Sequence, residues 1–353
     1  MQVAFIPVRP EITIPETLIY GAFAFILGLA LTPWFIAFLR KNKMGKQLRV
    51  ETVDSREATV FRTYHKHKFG TPTMGGLLIW GSILLSVLLS RVLSLTGLVE
   101  HSLLQRGQVY LPLFILVSLG ILGGVDDYLN IIGSGKKKGL DWLPKLTSLL
   151  IISGIAALWF YFKLGYDQIY VPFSGPWHVG LLYIPICMFI IVGTANAVNV
   201  TDGLDGLAAG LLIIAFGSFG LLGYIEGLDV LAAFCFVVAG AIAAFLWHNV
   251  PPALFFMGDT GSLALGGTLG VIAMMTDHIL VLPLVGFIFV IEMLSVIIQL
   301  TSKKFRGGKK IFKAAPIHHH FEALEWGESK VTMRLWIVGS FMAFAGVVVS
   351  VFG

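Results

Sequence analysis

Long apolar stretches separated by shorter polar ones run almost from end to end of this chain. Wound as helices, runs of about twenty apolar residues match the hydrocarbon core of a bilayer. The pattern predicts ten such spans, at 18–39, 75–94, 108–129, 146–164, 179–200, 204–223, 229–247, 261–276, 279–301 and 332–352. Two of them, 204–223 and 261–276, are rich in glycine. Small residues let membrane helices approach closely, so these two are expected to pack against neighbours. The segment before Thr17 lacks the basic start and small-residue cleavage pattern of a removed leader, so the first run is expected to remain as a span. The expected fold is all-α: a polytopic membrane protein folded as one domain over 1–353. No heptads, solenoid period or low-complexity tract interrupts the pattern.

Composition supports that class. Of 353 residues 56% are apolar and 13% charged, with a mean hydropathy of +0.85. A soluble domain carries about a quarter charged residues. Charge then adds direction. Loops 40–74, 130–145, 201–203, 248–260 and 302–331, with Arg334 at the edge of the last span, hold 21 of the 25 Lys and Arg residues. The other face has Arg9, Arg91, Arg106 and Lys163. Basic loops stay cytoplasmic, which places both termini outside. A net charge of +5 suits anionic lipid headgroups, and no nucleic-acid partner is expected. Cys187 and Cys235 both fall inside expected spans, so a disulfide framework is not expected.

With that topology, the unusual polar clusters all fall on the cytoplasmic face. Asp126 and Asp127 close an apolar run, and ionisable groups at membrane depth are costly and usually functional. Neighbours on a helix point about 100° apart, so the two carboxylates can take different tasks. Asn196, Asn199, Asp202 and Asp205 share a thirteen-residue window with glycines. Asp202 alone reads as the N-cap of the sixth span, and Asp202 and Asp205 share a face if the segment is helical. Exposed backbone with amides and carboxylates suits a base or sugar. Asp259, in Gly258-Asp259-Thr260-Gly261, reads either as an N-cap or as part of a phosphate–magnesium dock at a helix start. His318-His319-His320 cannot easily share one zinc, because consecutive side chains diverge. Beside a diphosphate they would donate hydrogen bonds or stabilise charge. Gly70-Thr-Pro-Thr-Met-Gly-Gly76 reads as architecture, with Lys68 before it as the better ligand contact. Glu292 and Gln299 lie seven apart on one helix face, and a buried Glu there needs a partner. Loop 302–331 is long enough to carry a short helix or hairpin.

Together the strings Gly-Thr-Pro-Thr-Met-Gly-Gly, Val-Asp-Asp-Tyr, Asn-Ala-Val-Asn-Val-Thr-Asp-Gly-Leu-Asp-Gly-Leu-Ala, Phe-Met-Gly-Asp-Thr-Gly-Ser and Ala-Pro-Ile-His-His-His-Phe-Glu occur in order from about Gly70 onward. In that combination the chain resembles the polyprenyl-phosphate N-acetylhexosamine-1-phosphate transferases, and the Pro-Ile-His-His-His-Phe-Glu string resembles their muramoyl-pentapeptide branch. The resemblance implies transfer of phospho-MurNAc-pentapeptide from UDP-MurNAc-pentapeptide to undecaprenyl phosphate with Mg2+ as cofactor, in a bacterial inner membrane, with a homodimer as the candidate assembly. It implies catalytic roles for Asp126, Asp127, Asp259, His318, His319 and His320, with Asp259 as the metal ligand. It places Lys68, Lys145, Asn199, Asp202, Gly203, Leu204, Asp205, Asn249, Phe256 and Gln299 around the substrates. Asn130 stands where related sequences often have Lys, Leu254 replaces a Gln and His248 an aromatic residue. Two other readings are a UDP-GlcNAc transferase of the same chemistry and a secondary transporter. The transporter is disfavoured, because no internal repeat is found and the acids cluster at one face.

Overall fold

The computed structural model of the chain describes residues 12–42, 44–45, 70–97, 99, 101–105, 107–133 and 139–353. Lys68 and the Lys136–Lys138 run lie outside the described residues. The helices are α1 Ile14–Lys41, α2 Gly76–Leu95, α3 Tyr110–Ile132, α4 Trp142–Leu158, α5 Tyr183–Thr201 and α6 Leu207–Ile225. They continue with α7 Asp229–Asn249, α8 Asp259–Met275, the short α9 Leu282–Val285, α10 Phe287–Phe305, the short α11 Ile317–Glu322 and α12 Glu328–Phe352. Each of the ten expected spans contains a helix, the one expected over 279–301 being broken at Gly286 into α9 and α10. Among the described residues eight helices are long and apolar enough to cross a membrane. The two outside that set are α8, at 17 residues, and α10, which carries Glu292, Lys303 and Lys304 within 19.

Local rules account for several boundaries. At the head of α1, Thr13 Oγ1 accepts from the Glu16 amide while the Glu16 carboxylate accepts from the Thr13 amide, a reciprocal cap that satisfies two orphan donors. Sequence reading did not foresee the hairpin between α4 and α5, in which β1 Gln168–Val171 pairs antiparallel with β2 Gly175–His178.

The centre of the bundle is α8, where every residue from Thr260 to Met275 is buried. A helix surrounded by other helices needs close approach more than bulk, and this one is rich in glycine accordingly. It packs along α3 on one side and α5 on another, while α1 and α6 pack along α7. At the α3 crossing, a Cβ on Gly123 would overlap the Asp259 carbonyl. At the α2 crossing, a Cβ on Gly76 would overlap the Gly261 amide. The expected close packing of this segment is therefore present, and the Gly70–Gly76 stretch is architecture as read. Its chain pairs with the approach to α8, Phe256 N donating to Pro72 O at 2.8 Å and Gly75 N to Phe256 O at 2.8 Å.

Both described ends of the chain lie away from Asp259. The Ile12 amide donates to Asp229 Oδ2 at the start of α7 (2.8 Å), and the Gly353 carbonyl accepts from Phe173 N in the hairpin (2.6 Å). The far end of α7 is the one that joins the acidic end, since Asn249 Nδ2 donates to Phe255 O at 2.9 Å.

Candidate active site

Four helix ends meet where the acids gather. Asp126 and Asp127 lie in the last two turns of α3, Lys145 in the first turn of α4, Asn199 in the last turn of α5, and Asp259 opens α8. Asp126 and Asp127 are both almost wholly buried.

Helix geometry divides the adjacent pair as expected. Asp126 turns toward α4: its Oδ1 accepts from the Leu140 amide at 2.5 Å and its Oδ2 lies 3.3 Å from Lys145 Nζ. Asp127 turns toward α8: its Oδ2 accepts from the Thr260 amide at 3.0 Å and the Thr260 hydroxyl at 2.8 Å. A carboxylate on orphan amides at a helix start is stabilised by both hydrogen bonding and the helix dipole. Asp127 thus caps α8 from another helix. Gly258, at φ +73°, passes so close that a Cβ there would strike Asp127 Oδ2.

Asp259 is not the N-cap of α8; that position is Gly258 and Asp259 is the first helical residue. Its side chain instead spans the cluster. Oδ2 binds Lys145 Nζ, and Oδ1 accepts from Asn199 Nδ2 at 2.8 Å. Asn199 Nδ2 also donates to Ser262 Oγ at 2.9 Å. An ammonium therefore sits between carboxylates that come from α3 and α8, 133 residues apart. Attraction to that cation offsets the repulsion that a buried and a half-buried anion would otherwise feel.

The polar window after α5 departs from its sequence reading in detail. Asp202 is the C-cap of α5 rather than the N-cap of α6, and 202–206 is a turn, so Asp202 and Asp205 do not share a helix face. The first position before α6 is Gly206, at φ +78°, where a side chain would strain the backbone. Asn196 donates to its own helix at Val192 O (2.8 Å) and stands apart from Asn199's partners. Asp205 Oδ2 accepts from Ala253 N at 3.0 Å, and its amide donates to Glu328 Oε1 at 2.7 Å. Asn249 Oδ1 accepts from Gly206 N at 2.9 Å. These bonds fasten the 202–206 turn to the loop that delivers Phe256 and Asp259. Leu204, 3% exposed, is buried beneath the turn.

The three histidines are held by three different partners, but they do not all diverge: the His318 and His319 rings pack edge to face, 4.1 Å between centroids. His318 Nδ1 bonds Glu292 Oε2 at 2.9 Å, His319 Nδ1 bonds Glu322 Oε2 at 2.6 Å, and His320 Nδ1 accepts from Lys313 N at 3.1 Å. They lie on α11, the short helix allowed for in this loop. Glu292, fully buried, has the partner its position required. Gln299 accepts from the amides of Ile311 (3.0 Å) and Phe312 (3.1 Å) and donates to Phe312 O (3.0 Å), pinning the same loop. Asn130 Nδ2 donates to Asp126 O at 3.0 Å.

Thr260, Ser262 and Glu328 were not singled out from sequence. Only the two hydroxyls left a trace there, directly after Gly-Asp at a helix start; Glu328 left none, since its partner is 123 residues away.

Residues 109–277 match the glycosyl transferase family 4. Over 94% of its length the chain is 39% identical to a phospho-N-acetylmuramoyl-pentapeptide-transferase of Chloroflexus aurantiacus, covering 89% of that protein. It is 41% identical to a protein of that name from Oceanobacillus iheyensis, over 93% of this chain and 96% of the relative. With one from Geobacillus thermodenitrificans it shares 39% identity over 96% and 99%. Similarity of that extent, spanning the α3, α5 and α8 ends where the carboxylates converge, shows that the chain belongs to the phospho-N-acetylmuramoyl-pentapeptide-transferase family.

Proposed function

We propose that this chain transfers phospho-MurNAc-pentapeptide from UDP-MurNAc-pentapeptide to undecaprenyl phosphate, giving lipid I and UMP, at the cytoplasmic face of a bacterial inner membrane. The observation that carries this reading is the convergence of Asp126, Asp127 and Asp259 with Lys145 and Asn199 at one end of a bundle of membrane helices.

Both reactants are anionic. The lipid phosphate oxygen attacks the phosphorus attached to the sugar, and the bond to the oxygen of UMP breaks, so charge builds on the leaving phosphate. Such transfers are governed by positioning and by stabilisation of that charge. Lys145 offers an ammonium already at the carboxylates. To Asp126, facing Lys145, and Asp127, on the α8 start, we assign the role of taking a proton from the lipid phosphate or of attacking the diphosphate themselves. Release of UMP by protein given no lipid acceptor would mark the covalent route.

Magnesium fits the donor set. Asp126 and Asp259 present carboxylate oxygens around a cation, and magnesium commonly takes one or two protein carboxylates and fills its shell with water and substrate phosphate. Asp259 would hold the ion, with Asp126 beside it; when bound, the ion would neutralise the diphosphate and the departing UMP. The turn 202–205 offers backbone and carboxylate groups suited to the uridine end.

The test is UMP release by purified protein supplied with UDP-MurNAc-pentapeptide, undecaprenyl phosphate and magnesium, with a chelator control and a parallel arm using UDP-GlcNAc. Turnover with the first donor, lost with chelator, is the expected result. Turnover with UDP-GlcNAc alone would reassign the substrate.

A further inference from the structure

Glu292 is a wholly buried carboxylate in the middle of α10 that the reaction as described does not use. Burying a carboxylate is costly unless donors reach it. Among the described residues its hydrogen bonds come from one residue, His318: ring Nδ1 at 2.9 Å and backbone N at 3.5 Å. The other ring nitrogen, Nε2, is buried without a hydrogen-bond partner among the described residues. It lies directly against Gly203, where a Cβ would collide with it. The ring is therefore the floor of the Asp202–Asp205 turn, and Glu292 is what fixes the ring.

We infer that Glu292 is a positioning residue for nucleotide binding, acting through His318 on the 202–205 turn. The inference rests on the reading of that turn as the uridine end. Gln299, two helical turns along the same face of α10, pins residues 311 and 312, so α10 holds the loop before the histidines at one point and the histidines themselves at another. Loosening the second point lets the His318 ring leave Gly203. The turn then samples positions in which its backbone no longer meets the nucleotide. Loss of such preorganisation weakens binding without removing any group that touches the ligand.

Glu292→Leu removes the acceptor at similar bulk; Glu292→Gln keeps an amide oxygen that still accepts from Nδ1. Two measurements are made on each in detergent or nanodiscs: UMP affinity by calorimetry, and steady-state KM and kcat for UDP-MurNAc-pentapeptide. The expected result is about a tenfold or greater rise in KM and in the UMP dissociation constant for Glu292→Leu, with kcat within about threefold, and near-normal values for Glu292→Gln. Unchanged UMP affinity in Glu292→Leu overturns the inference. So does an equal loss in both variants, which would mark a general packing defect. Wild-type protein that neither turns over this donor nor binds UMP would remove the transferase reading, and this role with it.

Discussion

Lys145 illustrates how one residue can hold a site together and compete with the proposed magnesium ion. Its ammonium occupies the space between the Asp126 and Asp259 carboxylates, the same oxygens proposed to meet magnesium. An ammonium is a compact point charge on a flexible stem, so it can withdraw from the carboxylates toward a substrate phosphate. Lys145→Gln is therefore expected to do two opposed things. Turnover should fall by about 100-fold, because a cation stabilising the transferred phosphate is lost. The magnesium concentration needed for half-maximal rate should fall too, because a competitor has gone. A magnesium titration of UMP release checks both, and a raised magnesium requirement would refute the competition. Asp259→Asn should abolish turnover and weaken the magnesium dependence, whereas near-wild-type activity would remove Asp259 from the site. The carboxylates and Lys145 were legible in sequence as members of a site. Their mutual arrangement was not, because each contact joins residues 19 to 114 apart. Spacing along a helix says nothing about such pairs. For Asp202, a local capping rule pointed to α6, yet Gly206 supplies the positive φ from which α6 begins. Asp202 closes α5 instead.

At the scale of elements, the site exists because α3 and α8 cross without side chains between them. Gly123 touches the backbone of Asp259, while Gly124, the next residue, has Thr260 Oγ1 no closer than 3.6 Å to where its Cβ would be. The two glycines make a matched test. Gly123→Ala should force the crossing apart and lower stability by about 1–3 kcal/mol, as overpacking does, with activity lost as Asp127 draws away from Thr260. Gly124→Ala should be tolerated and can even stabilise α3, since alanine is the better helix former by about 1 kcal/mol. Thermal unfolding in detergent, with UMP release measured beside it, separates them; equal behaviour would mean that the crossing is not the constraint. Hydropathy alone located the long helices, and the glycine content of 261–276 foretold its close packing against neighbours but not its central place. It did not foretell the β1–β2 hairpin. Four-residue strands with exposed Trp177 and with Phe173 at the tip carry no alternation strong enough to read, and pairing across a tight turn supplies what the pattern lacks.

At the scale of the whole molecule, every element that builds the site contributes the end lying away from Ile12 and Gly353, so one sidedness decides where the chemistry occurs. The distribution of Lys and Arg predicts that this end faces the cytoplasm, and the fold supplies residues with which to test it. Phe173, 76% exposed, tips the hairpin at one end, and Lys309 is exposed in the loop after α10 at the other. Cys187 and Cys235 are each 0% exposed, so the native thiols give little background to a water-soluble maleimide. In intact cells with a permeable outer layer, Phe173→Cys should react with an impermeant maleimide while Lys309→Cys stays unmodified. In inside-out vesicles the pattern should reverse. A nucleotide-sugar made in the cytoplasm can reach Asp259 only in that orientation, so labelling of residue 309 from outside would leave the carboxylate cluster facing the wrong compartment for the proposed donor.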